Sequence, residues 1–133
     1  MNEKQKQAWN LLQTYAERPF DWKGQADCCA FANEVMEVFH GKDFMAEFIY
    51  ANKAEAIREI RKHGDLVGAI THVMGPPMDA DPSEMRDGDV LVAKQEDGEW
   101  IAGFCFLGVM VVKNKNGVID WPLEAAIYMW RPS

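Results

Sequence analysis

Apolar residues recur at helical spacing up to Met74 and at strand spacing from Val90 onward, with a Pro- and Asp-rich stretch between them. That single change of period restricts the chain to helices followed by strands. Ala8, Leu11, Leu12 and Tyr15 form one helical stripe between about Glu3 and Arg18, which Pro19 ends. A second helix is expected from Cys28 to about His40, with Cys28, Phe31, Ala32, Val35, Val38 and Phe39 on its inward face and Gly41 at its end. Asn52 to His63 reads as a charged helix with Ile57 and Ile60 inside. Asp65 caps a fourth, striped by Leu66, Ile70 and Val73 and broken by Gly75-Pro76-Pro77. Beyond the loop from Gly75 to Gly88, the runs Val90–Ala93, Trp100–Phe106, Val109–Val112, Val118–Trp121 and Ile127–Trp130 read as strands. Hairpin connections are expected at Glu96-Asp97-Gly98 and Asn114–Gly117. The expectation is an α+β fold in one domain, residues 1–133, with the N-terminal helices packed on a C-terminal antiparallel sheet.

Composition narrows the function classes. Twenty-one acidic against 14 basic residues give a net charge of −7, the wrong sign for nucleic acid or an anionic membrane surface as partner. Three cysteines without C-x-x-C spacing suggest neither a disulfide framework nor a zinc site, and a reducing compartment fits best. The polar start Met1–Gln7 has no signal-like apolar run, and no stretch approaches the ~20 residues needed to span a bilayer, so the expected location is cytoplasmic at synthesis. Asp79, Asp81, Glu84, Asp87 and Asp89 do not follow the spacing of a calcium loop and read as a solvated acidic loop. Asp89 is first of all a turn residue there, and neither metal nor cofactor is expected. Trp121 and Trp130 are candidates for an exposed contact patch.

The chemistry concentrates at the start of the second helix. Asp27 is a favoured N-cap whose carboxylate can accept the Ala30 N–H, and Cys28 follows it in the first turn. A helix N-terminus favours a thiolate and draws the pKa below the free-thiol value of roughly 8.5, while the Asp27 carboxylate pushes the other way. The position suits a nucleophile. It equally suits a small core residue, the reading we give Cys29 and Cys105. Asp21 and Trp22 either line a groove beside Cys28 or anchor the loop before it.

Pro19-Phe20-x-Trp22-x-Gly24, Asp27-Cys28-Cys29-x-Phe31, Gly41-x-Asp43, Gly88-Asp89-Val90, and Gly117-Val118 through Pro122-Leu123 to Trp130-Arg131 form an ordered set spanning most of the chain. This set resembles the NlpC-type branch of the papain-like cysteine peptidases, and more narrowly a related phage and prophage family of unknown function found among tail-assembly genes. The resemblance implies a papain-like fold, Cys28 at the nucleophile position and Asp27 as the acidic residue preceding it. It also implies a histidine at the start of the strand after the Gly-Asp strand. Ile101 stands there, and the third polar position falls among the apolar Val109–Val112. No histidine follows His72. His40 lies twelve residues along the same helix, roughly 18 Å away at 1.5 Å per residue, which leaves His72 as the candidate base.

The resemblance implies three candidate functions. The first is a phage or prophage tail-associated binding or assembly module that no longer hydrolyses, with a tail component as protein partner and a place in the virion as an option. The second is a cysteine hydrolase or acyltransferase acting on peptidoglycan peptide amides through Cys28 and His72, with Asp21, Trp22 and Asp27 at the substrate. The third is an effector that binds a basic host protein, recognisable by salt-dependent binding.

Overall fold

A computed structural model describes residues 1–17, 28–45, 48, 50–114 and 117–131, and at positions 28–30, 53 and 114 the backbone alone. Helices α1 (Glu3–Glu17), α2 (Cys28–His40), α3 (Lys53–Arg61) and α4 (Leu66–Met74) precede strands β1 (Met78–Asp79), β2 (Val90–Lys94), β3 (Trp100–Phe106), β4 (Val109–Asn114), β5 (Gly117–Trp121) and β6 (Tyr128–Trp130). A 3-10 turn, Leu123–Ala125, joins the last two strands. The strands form one sheet in the order β1-β6-β2-β3-β4-β5, and every neighbouring pair runs antiparallel. The α+β architecture expected from the change of period is the one observed.

The helix boundaries follow their caps. Asn52 accepts a hydrogen bond from Glu55 N–H at 2.9 Å and Asp65 accepts one from Gly68 N–H at 2.8 Å, each satisfying a donor that the first turn leaves without an intrahelical partner. Gly75, at φ 87°, ends α4, and its carbonyl accepts the Trp130 indole N–H at 2.9 Å. Trp130 is therefore a buried link between α4 and β6, not part of an exposed patch; Trp121 packs half-buried against the far side of the sheet. The segment read as loop contains β1, whose Met78 and Asp79 pair with Met129 and Tyr128. Two residues carry no period, so no sequence pattern announces them.

Strand alternation separates two cores. Val90, Val92, Ala102, Phe104, Phe106 and Val111 face the helices, packed with Ala8, Leu12, Tyr15, Phe31, Val35 and Met36. Leu91, Ala93, Ile101, Cys105, Met110 and Val112 face the other way, beneath Trp121 and Leu123. Burial on both faces makes β2 and β3 read as unbroken apolar runs.

The β3–β4 connection is Leu107-Gly108, both at positive φ (49° and 83°), the signature of a type I′ hairpin. A non-glycine residue in the left-handed region costs about 1–2 kcal/mol, and Leu107 is half exposed, so its side chain offsets little of that cost. Leu107→Asn, which supplies the favoured Asn-Gly pair, is expected to stabilise the fold by about 1 kcal/mol. A thermal melt of the variant would show a rise of about 4 °C, and a fall would exclude this account of the turn.

Candidate functional site

Helix α2 lies across β3 and β4 and is fixed at both ends. Near its start Phe31, fully buried, sits between the rings of Tyr15 (centroids 4.8 Å apart) and Phe104 (5.3 Å). Near its end Phe39 packs on Phe106 and against Gly88, where a Cβ would come within 2.8 Å of the Phe39 ring and where φ is +90°, so this position requires glycine. His40 Nε2 lies 3.0 Å from the Gly88 carbonyl oxygen, which ties the end of the helix to the turn before β2. Asp89 N–H closes that turn onto Arg86, while its carbonyl and the Gly88 N–H pair with Cys105 across β3. The Gly-Asp pair that opens β2 is thus the anchor that sets the pitch of α2 on the sheet.

The Asp89 carboxylate is 1% exposed and accepts from Arg86 N–H at 2.9 Å, Arg131 Nε–H at 3.1 Å and an Arg131 Nη2–H at 2.9 Å. Arg131 also donates to the Glu84 carbonyl, and its hydrogen bond to Asp89 raises the guanidinium pKa above its ordinary value. Asp87 accepts from Leu107 N–H and from Gln5, and Asp81 from Ser83, so these carboxylates are turn-forming groups and the buried Asp89 is no part of a solvated acidic loop. Among the described residues no cluster of His, Cys, Asp and Glu is arranged to hold a metal ion.

A base serving a nucleophile on α2 has to rise from the sheet face on which α2 packs. Ile101 does not: it belongs to the opposite face, with Leu91 and Met110. The helix-facing neighbour is Ala102, one residue along. Gly103 pairs with Val112, and continuing that register by one residue sets Ala102 beside Lys113. Lys113 is fully buried. Its ammonium donates to the Tyr15 carbonyl at 2.9 Å and stands 6.0 Å from the centre of the Tyr15 ring, the ring that touches Phe31 one turn into α2. Sequence reasoning missed this residue because it ended the strand at Val112, with a hairpin connection expected from Asn114. The available signal was the alternation Val109, Val111, Lys113.

None of the three histidines lies on the sheet. His40 ends α2, His63 stands just past the end of α3, and His72 is on α4. The His63 and His72 rings stack at 4.3 Å between centroids, and Phe48 meets His63 edge-on at 5.8 Å. Asp21, Trp22 and Asp27 lie outside the described residues, as do the Cys28 and Cys29 side chains; Cys28 itself is the first residue of α2.

Cys105 is an inert core thiol. Burial first, then the charges of Asp87 and Asp89, push it up from 9.0 to about 11. A raised thiol pKa means that the folded state holds its proton more tightly than the unfolded state. The resulting stability is complete below pH 9, declines as pH rises towards 11, and changes no further above that. Chemical denaturation of the native protein and Cys105→Ala across this range is expected to show the native advantage shrinking by about 2 kcal/mol. An unchanged difference would exclude a buried neutral thiol.

A family model described as a domain of unknown function (DUF6950) matches residues 2–132. Among solved structures, the crystal structure of the NlpC/p60 domain of the peptidoglycan hydrolase SagA is similar to the chain at a TM-score of 0.57 and 16% identity, covering 98% of this chain and 99% of that one. The likeness is one of fold. Curated proteins offer no significant match. No helix among the described residues is long and apolar enough to cross a membrane.

Proposed function

The chain belongs to the DUF6950 family, a domain family of unknown function, and from its own residues we propose that it is an NlpC-like module that binds or assembles and does not hydrolyse. The observation that carries this reading is the sheet face beneath α2, where Ala102 and Lys113 occupy the helix-facing positions and no histidine is present anywhere on the sheet. Lys113 uses its nitrogen as a donor to the Tyr15 carbonyl and does not stand as an acceptor for a thiol proton. The general base missing from that face is worth ~10²–10⁴-fold in rate. The ordered motifs from Pro19 to Arg131 support a place among phage or prophage tail components, with another tail protein as partner. Incubation with purified muropeptides, followed by mass spectrometry, tests the reading: intact muropeptides are expected. Cleavage that Cys28→Ala abolishes would overturn it.

A second reading, a cysteine hydrolase or acyltransferase on peptidoglycan peptide amides, is favoured by one observation. The buried Lys113 ammonium stands next to the Tyr15–Phe31 contact at the first turn of α2, where the helix dipole already favours an anion. Each positive pole favours an anion at the start of α2. This reading needs His72 as base. Iodoacetamide labelling of Cys28 against pH separates the two: a labelling pKa that rises in His72→Ala supports the enzyme, and one unaffected by that substitution supports the module.

A further inference from the structure

Between α2, α3, α4 and the sheet lies a cavity of about 80 Å³ that opens to solvent at its mouth. Its walls include Met36, Ile60, Ile70 and Met74, over a floor of Val90 and Ala102. Folded interiors seldom leave voids larger than a water molecule, and an apolar void gives water no partners. The polar groups at this wall are already engaged. Asn33 donates to Asp43 and accepts from Phe44 N–H, and Glu59 pairs with Lys62 at 2.8 Å. A peptide backbone entering here would leave its N–H and C=O groups unsatisfied, and a charged group would lose its hydration without compensation. An unbranched hydrocarbon loses nothing, and the three lining methionines, Met36, Met45 and Met74, adapt to its shape.

We propose that this cavity binds one uncharged aliphatic chain, the alkyl or acyl tail of a small amphiphile, with the polar head left at the mouth. On a chain of net charge −7 a carboxylate head is disfavoured against a neutral or cationic one. The inference stands whether or not Cys28 reacts.

The test uses the whole protein with isoleucine methyls labelled for NMR and titrated with 1-decanol, decylamine and decanoate. Saturable shifts are expected at Ile60 and Ile70 but not at Ile101 or Ile127, with decanoate at least tenfold weaker than decanol. Shifts centred on the exposed Ile127, no saturation, or decanoate as the tightest ligand would overturn the proposal. Ala69→Phe, which fills the cavity from α4, is expected to weaken decanol binding at least tenfold. If that variant does not fold, the methyl map of the native protein decides alone. Sedimentation with neutral phosphatidylcholine vesicles distinguishes the source of the chain: co-sedimentation that decanol displaces assigns it to a bilayer lipid, and binding of free decanol alone assigns it to a soluble amphiphile.

Discussion

Arg131→Met is expected to lower the unfolding free energy by about 3–5 kcal/mol, the loss typical of stranding one member of a buried ion pair. Asp89 is the member left behind. At 1% exposure it would retain the Arg86 N–H as its described partner, while its charge stayed out of water. Arg131 also ties β6 and the Glu84 carbonyl to the turn that opens β2, so its removal frees three segments at once. Urea unfolding measures the loss. The double variant Asp89→Leu/Arg131→Met should recover much of it, because an apolar pair of similar bulk carries no stranded charge. A single-variant loss below about 1 kcal/mol would show that the pair behaves like an exposed salt bridge.

Lys113→Met is expected to lower the melting temperature and also to slow alkylation of Cys28 at neutral pH about tenfold. Methionine matches the length of the lysine stem but cannot donate, and a buried acceptor such as the Tyr15 carbonyl left without its donor costs about 1–3 kcal/mol. Loss of one positive pole beside a thiolate shifts its pKa by about one unit, which is a tenfold change in reactive fraction. A thiolate held by Lys113 without a base would alkylate readily yet release an amine poorly, which is compatible with a module that has kept the nucleophile and lost turnover. Unchanged labelling in a folded Lys113→Met would remove Lys113 from the site and leave it a purely structural lysine.

Much of the fold is legible because its signals are local. Asn52 and Asp65 cap helices within three residues of themselves, and the apolar runs of β2 and β3 fall where their composition puts them. The site is less legible because its signals are distant. Lys113 meets a carbonyl 98 residues away at Tyr15, and Asp89 meets Arg131 across 42. Neither distance leaves a trace in spacing. The exchange of Ile101 for Ala102 as the helix-facing residue is a matter of one position, and in a strand one position exchanges the two faces. An odd-even count from Phe104, which packs on Phe31 of α2, would have corrected it.

The place of β6 in the sheet bears on how this protein is made. The strand nearest the end of the sequence is inserted between β1 and β2, so the sheet is discontinuous until residue 130 has left the ribosome. At about 5–20 residues per second, α1 to α4 emerge several seconds before β6, and the strands that α1 and α2 cover, β3 to β5, are complete by residue 121. During that interval α1 and α2 already have a sheet to bury against, while β1 and the carbonyl of Gly75 still lack their partners. Synthesis of β6 is therefore a closing step, which docks β1 and the end of α4 onto a sheet that β2 to β5 have already formed.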